Sequence, residues 1–318
     1  MIGNATIRMI IRRLLLSVPL LFVVSVLTFG LVALTPGNPA LEILGGSATP
    51  AEVTALDQQL GLNQPLVVQY WQWLVRAVHG NLGVSLYSSQ TVTGDINSRI
   101  GVTLTIVIGA VLVSTVLGVA LGIVSAVRGG WLGRLTDVVS LVGFAVPNFW
   151  LGLILVTIFS VKLGLVPATG FVPFSTSPND WLDSIILPVI TLAAVGVTGV
   201  AKQTRDSLRD VLGQPFIVAL RAEGVPERTI LLRHALKNAA LPVVTMMGLF
   251  FVGMLGGAVI VEQVFGLPGV GSLAVSATST HDLPVVQGVV LYFTIIVIAV
   301  NLILDVTYGL LNPRGRVS

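Results

Sequence analysis

The sequence predicts an all-α integral membrane protein with six transmembrane helices, both termini cytoplasmic, a cytoplasmic coupling helix, and an extracytoplasmic segment after the first span. Three observations support this prediction. Of the 318 residues, 54% are hydrophobic and only 10% are charged, whereas about a quarter of the residues in an average soluble domain are charged. Six apolar stretches have the length that crosses a hydrocarbon core, about 20 residues. The basic residues also collect on one side of the resulting topology.

The six apolar stretches lie at 12–34, 100–126, 135–160, 184–202, 241–262 and 285–310. Pro147 interrupts the third stretch, and Pro188 lies within the fourth. Membrane helices tolerate proline because neighbouring helices and waters can satisfy the carbonyl groups that it frees. We therefore keep both stretches as predicted spans.

The first stretch shares with a signal peptide the basic residues Arg8, Arg12 and Arg13 before its apolar run. Its run is long, however, and it ends at Thr35-Pro36-Gly37-Asn38-Pro39 and not at a small-residue cleavage site. A cleaved signal has a short apolar region followed by small residues. We interpret the stretch as a retained transmembrane helix.

The distribution of Lys and Arg predicts the orientation. With the N-terminus in the cytoplasm, only Arg76, Arg99 and Lys162 of the 17 basic residues fall on the outer side. Cytoplasmic loops of membrane proteins carry an excess of Lys and Arg, so this orientation is favoured. The same excess explains the pI of about 9.6, and no nucleic-acid partner is expected.

These spans divide the chain into four regions. Residues 1–34 form the cytoplasmic N-terminus and the first helix, and residues 35–99 form the extracytoplasmic segment. Residues 100–310 form the transmembrane core with a cytoplasmic loop at 203–240, and residues 311–318 form a cytoplasmic tail.

Within the extracytoplasmic segment, the stretch from Gln64 to His79 is amphipathic and contains Tyr70, Trp71 and Trp73. Tyr and Trp are enriched where the membrane meets water. The pattern favours a helix lying at the membrane surface. A lid over an outer opening, or a platform for a partner protein, is the alternative.

The loop at 203–240 reads as a helix–turn–helix that projects from the membrane. The polar run from Gln203 to Val211 extends the fourth span, and Phe216 to Glu223 predicts a short helix. Gly224-Val225-Pro226 ends that helix, because Gly permits positive φ and Pro disfavours α geometry in the residue before it. Glu227 then begins the next helix. Such a loop is either a connector or a rigid contact for a cytoplasmic motor.

Segment 216–243, FIVALRAEGVPERTILLRHALKNAALPV, resembles the loop through which binding-protein-dependent ABC importer permeases contact their ATPases. The general pattern is Glu-Ala-Ala, three residues, Gly, nine residues and Ile-x-Leu-Pro. Here Val218-Ala219-Leu220 replaces Glu-Ala-Ala, Gly224 matches the glycine and Leu236 matches the leucine. His234 and Lys237 depart from the pattern. The run Arg233–Asn238 is instead similar to that of the dipeptide and oligopeptide branch.

The resemblance to the first permease of that branch extends over nearly the whole chain. Its further motifs are Thr35–Pro39, Leu60–Pro65, His79–Gly83, Pro147–Gly152, Val166–Gly170, Leu187-Pro188, Glu262, Phe265, Pro268-Gly269, Gly271, Asp282, Pro284, Gln287-Gly288, Asn301, Asp305, Tyr308 and Asn312–Arg314. Each motif is short, and their order and spacing carry the resemblance.

The resemblance implies a permease of a bacterial or archaeal plasma membrane that works by alternating access. It implies as partners a second, related permease, two ATPase subunits that bind ATP and Mg²⁺, and an extracytoplasmic peptide-binding protein. It also implies that the following residues contact an ATPase: Phe216, Ala219, Leu220, Arg221, Ala222, Glu223, Gly224, Val225, Arg228 and Leu236.

The chain itself is not expected to be an enzyme or to bind a cofactor or metal. It has no G-x-x-x-x-G-K-[ST], H-E-x-x-H or G-x-S-x-G motif and no cysteine, so the phosphate loop, zinc and nucleophile patterns are absent. Its three histidines, His79, His234 and His281, lie in separate segments.

Polar residues in or near apolar spans are candidates for a translocation path or gate, because such groups usually face a bundle interior or a water-filled cavity. They are Asn148, Glu262, Phe265 beside it, Asn301 and Asp305. Local alternatives remain for three of them. Asn148 would satisfy backbone groups freed by Pro147, Glu262 would make a structural hydrogen bond, and Asp305 would pair at the interface.

Two pairs of glycines spaced by four residues, Gly118 with Gly122 and Gly253 with Gly257, would let helices approach closely. They pack either within this chain or against a second permease.

Other functions are less well supported. An ion-driven carrier or channel should show charges along its spans, and the span centres hold almost none. An intramembrane enzyme needs a catalytic pair, and a receptor does not require the projecting loop. Among importers, related permeases for nickel, glutathione or sugars are the alternatives.

Overall fold

The structure is a computed structural model that describes residues 4–35, 37–128 and 130–311. Most of these residues are helical, and in the described part of the chain β pairing is limited to an isolated bridge between Val84 and Thr91. In chain order the α-helices are α1 (Asn4–Leu34), α2 (Pro39–Leu44), α3 (Pro50–Leu60), α4 (Leu66–Val78), α5 (Val92–Arg128), α6 (Gly130–Ala145), α7 (Asn148–Leu155), α8 (Pro178–Leu212), α9 (Pro215–Ala222), α10 (Glu227–Thr229), α11 (Leu236–Val264), α12 (Val270–Ser279) and α13 (Leu283–Leu311).

Among the described residues, five helices are long and apolar enough to cross a membrane. They include α1, α5, α8, α11 and α13, which contain the first, second, fourth, fifth and sixth predicted stretches. Pro188 and Pro242 lie inside α8 and α11 without ending them. The prediction of six single helices therefore holds for five of the stretches.

The third stretch, 135–160, is not one helix, and that part of the prediction is corrected. Helix α6 ends at Ala145, and α7 begins at Asn148 and continues as a π-helical segment, Val156–Lys162. The break coincides with Pro147, which lacks a backbone N–H and disfavours α geometry in Val146. Neither piece reaches the length of the five long helices.

The short helices after α1 begin at local capping sequences. The Asn38 side chain accepts hydrogen bonds from the Ala40 and Leu41 amides, at 2.8 Å and 3.3 Å. Thr49 and Glu52 form a reciprocal capping box at the start of α3. These caps satisfy amides that have no partner within a helix, so α2 and α3 start where the sequence places them.

Contacts divide the chain into two compact units, one built around Thr103–Leu267 and one formed by Arg8–Val102 with Pro268–Ile298. In the first unit, α8 is the central helix and packs against α6, α7 and α11. Most of its middle turns are buried, including Leu192 and Val200.

Small residues allow α5 to pack closely on α8. A Cβ atom built on Gly118 would lie 2.7 Å from Val200 Cβ, and one on Gly122 would lie 2.7 Å from the Ala201 carbonyl oxygen. Both glycines of this pair therefore pack within the chain. Of the second pair, Gly257 faces Leu192 and Asn148, whereas Gly253 has no atom within 4 Å of its built Cβ.

The second unit has its own apolar core. It is formed by buried residues of α4, α5, α12 and α13 and the loop before α5: Trp73, Leu82, Val92, Ile96, Val270, Ala277, Val285, Val286 and Val289. Gly288 of α13 faces the Val92 and Ile96 side chains, and its lack of a Cβ permits this approach. This core holds the predicted extracytoplasmic segment as an ordered part of the fold.

Candidate functional site

Helix α8 continues well beyond its apolar part. It runs to Leu212, and its last turns contain the polar run from Gln203 to Val211 as the sequence predicts. A turn at Gly213 leads into α9, which begins with Pro215 at its first position. Proline suits that position because its missing N–H would have no helical partner there. The predicted short helix 216–223 is thus present, shifted by one residue.

Helix α9 ends in a Schellman motif centred on Gly224. The Val225 amide donates to the Leu220 carbonyl at 3.1 Å, and the Gly224 amide donates to the Arg221 carbonyl at 3.0 Å. Gly224 has a φ of 78°, which glycine adopts at little cost and residues with a side chain adopt rarely. The glycine therefore sets the direction in which the chain leaves α9.

The loop rests on a small apolar core of its own. Its buried members are Leu208 and Val211 of α8, Ile217 of α9, and Ile230, Ala235 and Ala239 of the segment that follows. Ile217 is completely buried, so it fixes α9 to the end of α8. Because the members come from both sides of α9, this core holds the short helix rigidly.

The predicted contact residues divide into two groups. Leu220, Val225 and Leu236 pack against the loop core and are half-buried. The exposed residues are Phe216, Ala219, Arg221, Ala222, Glu223, Gly224 and Arg228. Sequence reasoning missed Val218, which is 56% exposed. It also missed Ile217 as the anchor. Ile217 lies three residues before Leu220, so helical periodicity places these two residues on the same side of α9.

A surface ion pair closes the turn after α9. Arg221 Nε donates to Glu227 Oε1 at 2.6 Å, and Arg221 Nη2 donates to Glu227 Oε2 at 3.3 Å. This hydrogen bonding raises the pKa of Arg221 above its ordinary value. Both side chains are exposed, so the pair defines the geometry of the turn more than its stability.

After α10 the chain forms a π-helical segment, Ile230–Ala235, before α11. Its first and last residues, Ile230 and Ala235, are both completely buried in the loop core. A π turn holds one more residue than an α turn, and such turns are frequent at functional sites. Here the extra residue brings both ends of the segment onto the same core.

An arginine links the extension of α8 to α6. Arg205 is 5% exposed. Its Nη1 donates to the Gly133 carbonyl at 2.6 Å, and its Nη2 donates to Asp137 Oδ1 at 2.6 Å. Its Nε donates to Asp206 Oδ1 at 3.0 Å. The α6 helix is therefore bound to the part of α8 that carries α9.

The predicted path residues come from α7, from α11 and the turn after it, and from α13. Glu262 is fully buried and accepts a hydrogen bond from Thr103 Oγ1 at 2.6 Å. Phe265 is also buried, and its carbonyl accepts a hydrogen bond from the Gly170 amide at 3.0 Å. These contacts favour the structural alternative for Glu262.

The other three path candidates are more accessible. Asn148 is half-buried, and its Nδ2 lies 3.5 Å from a Cβ built on Gly257 of α11. Asp305 is half-buried and Asn301 is exposed on α13. Asn148, Asn301 and Asp305 are therefore accessible enough to stay candidates for the pathway.

One open apolar depression lies at the break between α6 and α7, and another lies along α7 and the π-helical segment after it. The larger, about 480 Å³, is lined by Ala145, Val146, Pro147, Phe149 and Trp150. The smaller, about 240 Å³, is lined by Trp150, Leu153, Ile154, Thr157 and Ile158. Among the described residues, no group of three or more His, Asp or Glu side chains is placed to hold a metal ion.

Comparison with known proteins agrees with this architecture. Residues 118–317 match the family described as binding-protein-dependent transport system inner membrane component, and residues 6–107 match its N-terminal part. A Brucella abortus protein described as a peptide transport system permease is 40% identical over 309 residues, which cover 97% of this chain and 98% of the relative.

The glutathione transport system permease protein GsiC of Escherichia coli K12 is 41% identical over 308 residues, covering 96% of this chain and 98% of GsiC. Among solved structures, a chain of the MetNI methionine ABC transporter in inward-facing conformations superposes with a TM-score of 0.53 at 15% identity. The match covers 68% of this chain and 95% of that one, and it bears on the fold alone.

Proposed function

We propose a cargo for this chain, which belongs to the family of binding-protein-dependent transport system inner membrane components and is a multi-pass permease of an ABC importer. From that premise we propose that its cargo is di- or oligopeptides. The observation that carries the proposal is the identity of 40% with a peptide transport permease over 97% of this chain. Glutathione is the second candidate cargo, supported by the comparable identity with GsiC.

We propose the following partners. A second, related permease completes the membrane pathway, two ATPase subunits supply the energy, and an extracytoplasmic binding protein delivers the peptide. The chain has no phosphate-binding loop of the G-x-x-x-x-G-K-[ST] type, which supports hydrolysis of ATP by separate subunits. In this division the chain is a transport subunit without a catalytic site.

The proposed contact with an ATPase is the exposed side of α9 and the turn after it. Phe216, Ala219, Ala222 and Glu223 are exposed there, whereas Ile217 is buried beneath them. A short helix with one face fixed and the other free can sit in a groove of a partner without changing its own shape. Leu220, Val225 and Leu236 then support the contact from below.

Movement of α9 would pass into the membrane through α8. Ile217 packs with Leu208 and Val211 in one core, so α9 and the end of α8 would move together. Arg205 binds α8 to Gly133 and Asp137 of α6. We infer that an ATPase pulling on α9 displaces α6 as well, and α6 leads directly into the break at Pro147.

The proposed mechanism is alternating access through a wide, hydrated pathway shared with the second permease. A peptide carries many polar groups, and leaving one unpaired in hydrocarbon costs several kcal/mol. A tight ring of selective side chains is therefore not expected in this chain. Selectivity for the cargo would lie mainly with the binding protein. Asn148, Asn301 and Asp305 are the candidates to face the pathway.

The test is purification of the tagged chain in mild detergent from native membranes, followed by mass spectrometry and an ATPase assay. We expect a second permease and ATPases to co-purify, and ATPase activity to rise with binding protein loaded with peptide. Stimulation by glutathione alone would replace the peptide assignment. Recovery of the chain alone, without ATPase activity, would contradict the proposed assembly.

A matched pair of variants tests the contact surface in the same assay. Ala219→Trp places a bulky side chain on the exposed face of α9, and we expect it to abolish ATPase recovery. Leu232→Trp adds a bulky group at a position that is 65% exposed in the same loop but outside the predicted contact set. Equal recovery from both variants would contradict the role of α9.

A further inference from the structure

Helix α4, Leu66–Val78, has three distinct faces. At about 100° per residue, Tyr70, Trp73, Leu74 and Ala77 share one side, and Gln69, Gln72 and Arg76 share another. The third face is apolar. It consists of Val67, Trp71, Val75 and Val78, which we call the apolar stripe.

The first face is the one that holds α4 in the fold. Trp73 is 5% exposed in the core of its unit, and Tyr70, Leu74 and Ala77 pack against that core. The Tyr70 ring lies 5.4 Å from the ring of Phe29 in α1, and its hydroxyl is 2.8 Å from Ser25 Oγ. Helix α4 is therefore fixed beside α1 through specific contacts.

The apolar stripe is left uncovered by the fold. Val67 is 79% exposed, Trp71 is 62% exposed, and Val78 is 77% exposed. Val75 is 43% exposed. A row of large apolar side chains at helical spacing is unfavourable in water, so the stripe requires a cover.

Its contacts place α4 beside the apolar parts of two long helices. Ser25, which meets Tyr70, lies nine residues before the end of α1 at Leu34, or about 14 Å along the helix. Helix α1 is one of the helices apolar enough to span a bilayer. Gln287, four residues after the start of α13, donates to the Ser25 carbonyl at 3.0 Å. Tyr70 is thus level with the apolar parts of two spanning helices.

We propose that α4 is embedded in the interfacial zone of the bilayer, with the apolar stripe covered by lipid acyl chains. In the predicted orientation this is the outer leaflet. The occupant is lipid because α1 leaves large apolar side chains, Leu27 and Leu31, exposed at the same level, at 59% and 67%. Those residues lie on a spanning helix. The polar face, with Gln72 and Arg76, then lies toward the headgroups and water.

This arrangement gives the predicted extracytoplasmic segment a fixed position. The Gln69 side chain donates to the Leu62 and Gln64 carbonyls, at 3.1 Å and 2.8 Å. The turn that joins α3 to α4 is therefore bound to the embedded helix. A segment held in this way serves as a platform at the membrane surface and not as a lid that swings through water. The proposal depends on the membrane location of the chain and not on its cargo.

Single cysteines test the proposal cleanly, because the chain has none of its own. Val75→Cys and Val78→Cys lie on the apolar stripe, and Gln72→Cys is the matched control on the polar face of the same helix. Each full-length variant is spin-labelled in phosphatidylcholine nanodiscs. Accessibility to oxygen, which concentrates in lipid, is compared with accessibility to a water-soluble nickel chelate.

We expect the ratio of oxygen to chelate accessibility to be several-fold higher at positions 75 and 78 than at 72. Equal ratios, or chelate accessibility at all three positions, would show that the stripe faces water and would overturn the proposal. Inaccessibility of 75 and 78 to both reagents would show that protein covers the stripe and would overturn it as well. Labels at two stripe positions guard against misfolding of one variant.

Discussion

Arg205 of α8 binds Asp137 of α6 across 2.6 Å, with the guanidinium buried and the carboxylate at the surface. The two residues lie 68 positions apart in the chain, so the contact is a product of the fold. The same guanidinium also donates to the Gly133 carbonyl. Arg205 therefore joins α8, which contributes to the loop core, to α6, which ends just before the break at Pro147.

Replacing Arg205 with alanine is expected to separate ATP hydrolysis from transport. The change removes three hydrogen bonds from a charged group, each with a net contribution of about 1.5–3 kcal/mol. We expect the ATPases still to bind, since α9 is unchanged, while peptide uptake in proteoliposomes falls at least about tenfold, the effect of roughly 1.4 kcal/mol.

The matched control is Lys202→Ala. Lys202 also approaches Asp137, at 3.7 Å, but both side chains are 47% exposed. Exposed ion pairs contribute about 0–1 kcal/mol, so uptake should remain near the wild-type level. Equal losses in both variants would show that charge near Asp137 matters and the buried link does not.

Gly224→Ala tests the turn after α9. A Cβ at Gly224 meets no atom within 4 Å, so the expected cost is strain from the positive φ of 78°. That strain costs about 1–2 kcal/mol in a residue with a side chain. We expect lower ATPase recovery in the co-purification assay, and Gly224→Asn should be milder because Asn enters this conformation more readily. Recovery that is worse for Asn than for Ala would contradict this explanation.

Gly122→Ala is expected to destabilise the protein. The added Cβ would lie 2.7 Å from the Ala201 carbonyl oxygen on α8, so the helices must separate. Overpacking of this kind costs about 1–3 kcal/mol, and the melting temperature in detergent should fall. Gly253→Ala is the control, since no atom lies within 4 Å of its Cβ. That variant should melt at or above the wild-type temperature, because alanine favours helix.

Glu262 is expected to act through its buried hydrogen bond and not as a gate. Glu262→Gln keeps an oxygen that can accept from Thr103, so stability and uptake should change little. Glu262→Ala removes the acceptor that lies 2.6 Å from Thr103 Oγ1, at a cost of about 1–3 kcal/mol. Thermal melting and uptake are measured together. Loss of uptake in the Gln variant at unchanged stability would favour a role in the pathway.

The second unit should lose stability as the pH rises above the ordinary pKa of an aspartate side chain. Burial raises the pKa of Asp282 from its ordinary value of 3.8, while a hydrogen bond from Ser85 Oγ at 2.6 Å opposes the shift. The folded state binds the proton of Asp282 more tightly than the unfolded state does. Protonation therefore contributes stability that is fully present below pH 3.8. It is lost as the pH rises through the folded-state pKa.

The measurement is the melting temperature of the purified chain as a function of pH. Asp282→Asn should flatten the decline, because the amide does not ionise. Asp183→Asn, at an exposed position of α8, is the control and should leave the decline in place. An unchanged profile in the Asp282 variant would show that another group is responsible.

Local features of the sequence were enough to predict much of the architecture. Five of the six apolar stretches lie within single long helices, because length and hydropathy are properties of the segment itself. The turn at Gly224 follows from the stereochemistry of that residue. The break at Pro147, by contrast, divides a stretch that was predicted to be one span. The boundaries of α9 differ from the predicted helix by one residue. The membrane class and the family follow from such local signals taken in order.

The tertiary structure decided which face of each segment is buried and which is exposed. The predicted ATPase-contact residues around α9 fall into two groups, one exposed and one packed on the loop core. The second group is Leu220, Val225 and Leu236, and residues of α8 and α11 complete that core. Glu262 is buried, and a hydrogen-bond partner comes from Thr103, 159 residues away in the chain. A sequence sets the length of a helix and where it ends through nearby atoms. The burial of a side chain depends on partners that only the folded chain brings within contact distance.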